Sequence, residues 1–580
     1  MKKYKYESQW HANDILKEGP FTSTKDAFER VASFFPDRKV LAILDEDKKI
    51  KYWTAKEFKE ETYAVGDGLI DLGLEGQHIC ICGDNSFEYV LCDTAIAAGV
   101  GVVTPLDKDA PVELLVRLLT KAEITAAIVS SYLLQKFEDV KKIYPALTTI
   151  ITMDKRIEGY PYLEDIKEKG FKLASKKYYE NKKIDPNALA KLLFTSGTTG
   201  SNKAVMLSQS NLANNIMNCM DIILGTNDET NTSMSVLPMH HATEINSHVF
   251  SRLASGRLTY ICTSMKTMMQ DIKIFKPYCI TIVPMIANMF YKTIWDNARK
   301  AGMEKKLKMG IKLVTALRKI GIDISHKLFK DLFVNFGGNL SQIVCGGAML
   351  NPEVVRGLEQ LGIFTSNGYG ITEAGPVISM NNDTFNKPYS VGKCCPRNTA
   401  KLFNIDEDGV GELCVKGNSI SLGYYKDPEN TAKVFDKDGY FHTGDLARID
   451  KKGFIFLVGR KINAIVLENG QNISPEEIEN MIQDNIPYCE DICVYSVKKK
   501  VGNRLVEQLV AGLYIPDETI RHDHEKILND FKAFNATLVP YKRINYVNLP
   551  EEEYEKTALK KVIRVKVMDK HNDKTGVTVF

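Results

Sequence analysis

The alternation of helix-length amphipathic segments with short apolar runs constrains the fold of this chain most strongly. The first such segment carries apolar residues at i, i+3, i+4 and i+7, namely Phe28, Val31, Ala32 and Phe35, and Pro36 then ends the pattern. Short apolar runs at 79–82, 100–104 and 126–129 are separated by helix-length segments. Such runs are typical of parallel strands covered on both faces. The sequence therefore predicts an α/β fold.

The pattern of predicted helices and strands changes near residue 460. Ser474-Pro475-Glu476-Glu477 is a typical helix start, and runs at 491–497 and 506–515 are typical of strands. An amphipathic pattern at 527–534 predicts a further helix. We therefore expect a large N-terminal α/β domain, residues 1–460, followed by a small mobile α+β C-terminal domain, residues 461–580.

Composition excludes several classes of protein. Of the 580 residues, 44% are hydrophobic and 26% charged, which argues against wholesale disorder, and the net charge of +3 gives no reason to expect a nucleic-acid partner. The 12 cysteines show no paired zinc spacing and are expected to be reduced and mostly buried. Neither a signal peptide nor a transmembrane run is evident, so a cytoplasmic location is predicted.

One loop carries the strongest chemical signal. The stretch LLFTSGTTGSNK, residues 192–203, places two glycines, several hydroxyls and Lys203 after an apolar run. A polyphosphate needs close backbone approach, N–H and O–H donors and a positive charge, and this loop offers all three. Its spacing does not match GxxxxGK[ST], so it is not the usual nucleoside triphosphatase loop. A hydroxyl-rich surface turn is the alternative interpretation.

The loop resembles the signature of the adenylate-forming enzymes, the superfamily of acyl-CoA synthetases, nonribosomal peptide adenylation domains and firefly luciferase. Further matches follow in the family's order: LPMHH at 237–241, GGA at 346–348, NGYGITE at 367–373, YFHTGD at 440–445, GR at 459–460, NG at 469–470 with SPEE at 474–477, and KTALKKVIR at 556–564. The N-terminal stretches are most similar to the branch that acts on medium- to long-chain fatty acids. The resemblance covers nearly the whole chain.

The resemblance implies an AMP-forming acid–thiol ligase. A carboxylate attacks the α-phosphorus of ATP to give an acyl-adenylate and pyrophosphate, and a thiol, here CoA, then takes the acyl group. Because the first step brings an anion to a polyanion, cations must neutralise the developing charge. Lys203, Lys561 and Mg²⁺ are the expected cations.

The same resemblance implies roles for single residues. The β- and γ-phosphates would lie on the loop residues Thr195, Ser196, Gly197, Thr198, Thr199, Gly200 and Lys203. Thr372 would donate to the α-phosphate and Glu373 would bind Mg²⁺ as a hard oxygen ligand. Tyr369 would lie against adenine, which Gly346, Gly347 and Ala348 would admit closely.

Three further positions complete the predicted site. Asp445 would accept hydrogen bonds from the ribose hydroxyls, with Arg460 nearby. His241 would lie beside the reacting carboxylate, and Ala242 stands where amino-acid-activating relatives tend to have an aspartate. Lys561 would bridge the substrate carboxylate and the α-phosphate; alternatively it is one more base in a basic tail with Lys556, Lys560, Arg564 and Lys566.

The chain departs from the family pattern at two places. Ile462 stands where the family has Asp or Lys at the domain hinge, and Lys560 stands where the late motif usually has glycine, so Lys560 is the fallback for Lys561. Other functions therefore stay open. The chain could be a ligase that loads an external carrier protein, a non-catalytic nucleotide-binding homologue, or a scaffold with a dead site.

Overall fold

The computed structural model describes residues 15–195, 203–222, 230–348, 350–382, 385–463, 465–466, 472–501, 504–556, 562–571 and 578–579. The chain divides into two compact units. The larger unit comprises Met1–Ala400 and Val415–Phe441, and the smaller comprises Lys401–Cys414 and His442–Phe580. The predicted α/β class, with a large and a smaller part, is thereby confirmed. The domain boundary at 460 and the mobility of the smaller part stay predictions.

The first sheet of the larger unit has six strands. In spatial order they are Thr149–Thr152, Ala126–Val129, His78–Cys82, Val102–Pro105, Leu189–Thr195 and Lys203–Ser208. All neighbours are parallel except the last pair, which is antiparallel. The apolar runs predicted to be strands are therefore strands of one parallel sheet.

The second sheet has nine strands, parallel in the middle and antiparallel at both edges. In spatial order they are Lys393–Cys394, Val377–Met380, Phe364–Gly370, Gln342–Cys345, Cys279–Ile282, Ser233–Ser235, Thr259–Ile261, Lys39–Leu44 and Ile50–Thr54. Because its central strands are parallel, their carboxyl ends meet at one edge, where ligands of α/β proteins bind.

Helices surround both sheets. Those of the larger unit are Thr24–Phe34, Ala55–Asp71, Phe87–Ala95, Val112–Lys121, Leu134–Ile143, Leu163–Leu173, Gln209–Ile222, Phe250–Ala254, Met268–Phe275, Pro284–Lys300, Glu304–Lys319, Ser325–Leu328, Lys330–Val334, Pro352–Leu361 and Pro428–Val434. The Ala55–Asp71 helix begins with a capping box, in which Thr54 and Glu57 each satisfy a backbone N–H of the other. Two π-helical segments, Ile96–Val100 and Thr243–Val249, interrupt the pattern.

The smaller unit is built on short sheets and four helices within its described residues. One sheet, which lies mostly in the smaller unit, consists of strands Asn398–Phe403, Gly411–Gly417, Phe441–Ile449 and Ile455–Arg460. The strand pair Ile465–Val466 and Asn472–Ile473 follows. The last sheet orders Asp491–Val501, Arg504–Tyr514, Tyr546–Asn548 and Thr578–Val579. The helices are Pro475–Asn485, Glu518–Arg521, His524–Ala536 and Arg564–His571.

Two sequence expectations about the whole chain can be compared with the structure. All but Cys394 of the 12 cysteines are buried, which agrees with the expectation that they are mostly buried. Where the structure describes the chain, no helix combines the length and the apolar content needed to cross a bilayer.

Candidate active site

The signature loop joins two paired strands. Thr195 ends one strand and Lys203 begins the next, and the two residues face each other in the antiparallel register. The predicted phosphate ligands between them, Ser196, Gly197, Thr198, Thr199 and Gly200, lie outside the described residues. The structure thus describes the two ends of the loop, both at the same edge of the six-stranded sheet.

The GGA and NGYG motifs lie side by side. Gly346, Gly347 and Ala348 follow the strand Gln342–Cys345, whose Cys345 pairs with Asn367 of the neighbouring strand Phe364–Gly370. Gly347 has a φ of +81°, a conformation that side chains rarely adopt. A Cβ atom at Gly346 would meet nothing closer than 4.0 Å. The space that the sequence predicts for a flat base is open at these glycines.

A cavity begins at these motifs and runs along the sheet. Its empty space, including the open mouth, is about 840 Å³. At one end it is lined by Gly346, Gly347 and Tyr369, which lie at the carboxyl ends of two strands. At the other end it is lined by Cys279 and Gln342, which are paired and begin the strands Cys279–Ile282 and Gln342–Cys345. Gln342 and Gly346 are four residues apart, which at strand spacing corresponds to about 13 Å. Tyr369 is buried in the wall.

Two buried polar side chains line the cavity. His248 and Arg252 both line it and are 5% and 3% exposed. Arg252 donates from Nη2 to Oδ1 of Asn231 at 3.0 Å, while its Nε has no hydrogen-bond partner. Asn231 precedes the strand Ser233–Ser235, whose first residue pairs with Cys279, so Arg252 lies at the end remote from Gly346. Burial lowers the pKa of Arg252.

His248 belongs to a buried pair. Its Nδ1 lies 3.0 Å from Oε1 of Glu244, one helical turn earlier on the π-helical segment, and Nε2 of His248 and Oε2 of Glu244 have no hydrogen-bond partner. Segments of π-helix are frequent at functional sites. Buried polar atoms without partners are costly, which favours a ligand or ordered water beside His248.

Thr372 and Glu373 lie in a single 3₁₀ turn after the Tyr369 strand. The Glu373 carboxylate is partly exposed, and its Oε1 accepts a hydrogen bond of 2.9 Å from the Tyr424 hydroxyl. Burial, and then the Glu373 charge, raise the pKa of Tyr424 well above its ordinary value. The Tyr424 phenol therefore stays a donor, and it leaves the second Glu373 oxygen for another partner.

Tyr424 also contacts the lysine of the signature loop. Nζ of Lys203 lies 4.7 Å from the centroid of the Tyr424 ring, within the range of a cation–π interaction. One tyrosine thus contacts both the predicted phosphate-binding cation and the predicted metal ligand. Sequence reasoning missed Tyr424, as it missed His248 and Arg252, because none of the three belongs to a motif.

His241 lies two residues before the π-helical segment Thr243–Val249. Its backbone N–H donates to the Pro238 carbonyl at 3.1 Å, and its ring lies 4.2 Å from that of His240. Burial, and then the neighbouring His240, lower the pKa of His241 to about 4. The imidazole is therefore neutral at neutral pH. It does not line the cavity itself, whereas Thr243, two residues later, does.

In the smaller unit, Asp445 and Arg460 are direct partners. They face each other across the antiparallel strands Phe441–Ile449 and Ile455–Arg460, and Nε of Arg460 lies 2.7 Å from Oδ1 of Asp445. The carboxylate is buried and the guanidinium is about half exposed. The structure thus brings these two predicted residues together. Lys561 and its fallback Lys560 lie outside the described residues.

Comparisons with known proteins identify the family. The family described as AMP-binding enzyme matches residues 28–425, and its C-terminal domain matches residues 463–575. Long-chain-fatty-acid–CoA ligase 1 of Homo sapiens is 28% identical over 505 residues, covering 81% of this chain and 71% of that protein. Long-chain-fatty-acid–CoA ligase 5 of Rattus norvegicus is 24% identical, covering 85% and 75%.

Solved structures share the fold. ATP-bound MatB from Rhodopseudomonas palustris superposes with a TM-score of 0.75 at 21% identity, covering 95% of this chain and 99% of that one. The anthranilate CoA ligase AuaEII, in complex with anthranoyl-AMP, gives 0.75 at 17% identity, covering 95% and 97%. Because the family match spans most of the chain, the predicted class of acid–thiol ligase, which works through an acyl-adenylate, is confirmed at the level of the family. The chain belongs to the AMP-binding enzyme family, within the adenylate-forming superfamily.

Proposed function

We propose that this enzyme uses ATP and Mg²⁺ to activate a carboxylic acid with a medium- to long acyl chain and transfers the acyl group to CoA. The observation that carries the proposal is the cavity that begins at Gly346, Gly347 and Tyr369. Apolar side chains from one helix and two strands line it, among them Ile222, Val344, Val377 and Met380. Such a cavity buries a chain, while the acid group would remain at its mouth near the Thr372–Ala374 turn.

In this proposal the larger unit holds the nucleotide. Loop residues 195–200 and Lys203 bind the β- and γ-phosphates, Thr372 donates to the α-phosphate, and Tyr369 lies against adenine. His241, neutral because of its low pKa, adds no charge beside the attacking carboxylate. Asp445 accepts hydrogen bonds from the ribose hydroxyls while Arg460 holds that carboxylate in place.

Glu373 is suited to bind Mg²⁺. Carboxylate oxygens are the ligands that this hard cation prefers, and Glu373 is partly exposed with one oxygen oriented by Tyr424. Bound Mg²⁺ neutralises phosphate charge. Lys203 and Lys561 supply the remaining positive charge, and Lys561 orients the attacking carboxylate toward the α-phosphorus.

A specific observation favours a second substrate class. Arg252 is a buried cation at the far end of the cavity, and no carboxylate of the described chain lies within ion-pair distance of it. Leaving such a charge unpaired is costly, and a ligand anion would relieve the cost. The substrate would then carry a second acceptor group, such as a carboxylate or a hydroxyl, at the end of its chain.

Pyrophosphate release tests the reaction and both substrate classes. The purified chain is mixed with ATP, Mg²⁺ and CoA, and saturated monocarboxylic acids are compared with dicarboxylic acids of equal length. Long monoacids support release if the first class is right. If no acid supports release, the proposed function is wrong. Replacing CoA by a phosphopantetheinylated carrier protein tests the alternative acceptor. If thioester forms faster on the carrier protein than on CoA, the carrier protein is the acceptor.

Arg252→Met then separates the substrate classes. If Arg252 binds a terminal acceptor, kcat/KM for the dicarboxylic acid falls about tenfold or more, while kcat/KM for the monoacid is kept or raised. Arg257→Met is the matched control, because Arg257 is also buried but is not among the residues that line the cavity. AMP-induced thermal stabilisation shows that each variant folds. Equal effects on both acids would leave the reaction intact and remove the Arg252 assignment.

A further inference from the structure

The Glu304–Lys319 helix has one face packed on the protein. Val314 is fully buried, and Leu307 and Ile311 pack partly buried against the core of the nine-stranded sheet. These three residues recur at the spacing of a single helical face. The opposite face of the same helix is open to solvent.

That open face carries an apolar stripe. Met309, Leu313 and Ala316, with Ile320 at the C-cap directly after the helix, follow one another at i, i+4, i+7 and i+11. At helical spacing these positions fall within about 60° of the helix circumference. Met309, Leu313 and Ile320 are 66%, 48% and 70% exposed, and Ala316 is exposed as well. We call these four residues the apolar stripe. A polar face would be expected on a helix already packed through its other side.

Lysines border the apolar stripe. On a helical wheel Lys305, Lys308, Lys312 and Lys319 lie along one side and Lys306 along the other. The helix carries six basic residues and one acidic residue, a net charge of +5, whereas the whole chain carries only +3. Lys308 pairs with Glu304 at 2.7 Å. In the part of the chain that the structure describes, the other four lysines make no ion pair.

We propose that this lysine-flanked apolar stripe docks the protein on an anionic membrane surface. An amphipathic helix with apolar side chains between lysines lies in the plane of a bilayer interface, its apolar side chains entering the boundary between headgroups and acyl chains. The lysines then lie at the depth of the anionic headgroups. Docking of this kind requires no membrane-spanning helix.

Charge and packing favour a membrane over other partners. A second copy of this chain would bring two strongly basic helices together, which is unfavourable. A partner that wraps around a basic amphipathic helix would need the buried Val314 face as well, and that face already packs on the core. A nucleic acid would contact the lysines but gain nothing from the exposed Met309, Leu313 and Ile320. The proposal does not depend on which acid the enzyme activates.

Vesicle co-sedimentation of the full chain tests the proposal. Vesicles of phosphatidylcholine alone are compared with vesicles that contain phosphatidylglycerol, at low and high salt. We expect binding to the anionic vesicles that weakens as salt rises, and much weaker binding to the neutral ones. Absence of binding to anionic vesicles at low salt would overturn the proposal.

Substitutions locate the binding surface. Ile320→Glu places a charge in the apolar stripe. The matched control Ile143→Glu places the same charge outside the stripe, on the Leu134–Ile143 helix, at an isoleucine that is 61% exposed. We expect Ile320→Glu to lose vesicle binding and Ile143→Glu to keep it. Neutralising Lys305, Lys312 and Lys319 together to Gln should weaken partitioning about 100-fold, since each surface lysine contributes about fivefold.

Two further readouts keep the result decisive. Circular dichroism and thermal unfolding show that the variants fold, because all of these side chains are exposed. Analytical ultracentrifugation without lipid measures self-association. A dimer that Ile320→Glu dissociates, together with no vesicle binding, would assign the apolar stripe to a second copy of the chain and refute membrane docking. Equal vesicle binding by Ile320→Glu and Ile143→Glu would refute it as well.

Discussion

Removal of one hydroxyl, in the variant Tyr424→Phe, tests whether Tyr424 orients Glu373 as a metal ligand. The segment around Tyr424 runs beside the strand Lys203–Ser208. The N–H of Met206 donates to the Gly423 carbonyl at 2.9 Å, and the N–H of Tyr425 donates to the Ala204 carbonyl at 2.8 Å. The backbone therefore fixes the Tyr424 ring against Lys203, and phenylalanine would keep that position.

The expected magnitude follows from the hydrogen bond that is lost. A hydrogen bond to a charged group contributes about 1.5–3 kcal/mol. Because Glu373 is partly exposed, water replaces part of this interaction, and about 1.4 kcal/mol, or tenfold, is a reasonable expectation. The ring of Phe keeps the contact with Lys203, so the loss concerns the orientation of Glu373. Tyr424→Leu removes the ring too and should cost a further 0.5–1 kcal/mol, approximately.

Pyrophosphate release at varied Mg²⁺ concentration measures this effect. We expect Tyr424→Phe to need about tenfold more Mg²⁺ for half-maximal activity. The neighbouring Tyr425→Phe is the matched control, because its hydroxyl contacts the exposed Glu123 at 2.6 Å. Unchanged magnesium dependence in Tyr424→Phe, or an equal change in Tyr425→Phe, would refute the assignment of Glu373 to the metal.

Three other outcomes are expected. Lys561→Ala should suppress acyl-adenylate formation by orders of magnitude yet affect transfer from preformed adenylate much less. Rapid-quench assays of both steps check this expectation. An effect seen only in Lys560→Ala would assign the role to Lys560 instead. Asp445→Asn should raise the KM for ATP about tenfold because Arg460 loses its charged partner, as initial rates would show. Burial and then His240 lower the pKa of His241 to about 4 from 6.5, so the unfolded chain binds a proton that the folded chain does not. The free energy of unfolding should therefore fall by up to about 3 kcal/mol as pH decreases from 6.5 to 4, and denaturant titrations should show a flatter profile for His241→Gln.

The sequence predicted much of the fold because apolar runs and helix caps depend on residues that are close in the sequence. The run 126–129 is a strand with those bounds, and the Thr54–Glu57 capping box begins the Ala55–Asp71 helix. Ser474 shows where such reasoning fails. It precedes the Pro475–Asn485 helix as predicted, but its hydroxyl donates to the Val458 carbonyl at 2.7 Å instead of capping the helix. A distant strand competes for the same hydroxyl, and sequence spacing does not reveal that competition.

In the predicted site, too, motifs could be found from the sequence whereas tertiary contacts could not. Adjacent strands bring GGA and NGYG together because Cys345 pairs with Asn367, and Asp445 faces Arg460 across a hairpin. Motifs located these positions. Tyr424 could not be found in this way, since it is 51 residues from Glu373 and its role depends on tertiary pairing. Arg252 gave one faint signal, a basic residue within the otherwise apolar and small residues of the Phe250–Ala254 helix.

The described bases near Lys561 in the sequence bear on the alternative that it is only part of a basic tail. Three of its four basic neighbours are committed to carboxylates: Lys556 contacts Asp491 at 3.0 Å, Arg564 contacts Glu479 at 2.7 Å, and Lys566 contacts Glu555. Arg564 is largely buried, unlike a base in a solvated tail. Three of the four bases near Lys561 in the sequence therefore already have a carboxylate partner, which a solvated basic tail would not require. The alternative that Lys561 is one more base in such a tail loses most of its basis, and the rapid-quench comparison of Lys561→Ala with Lys560→Ala decides the role.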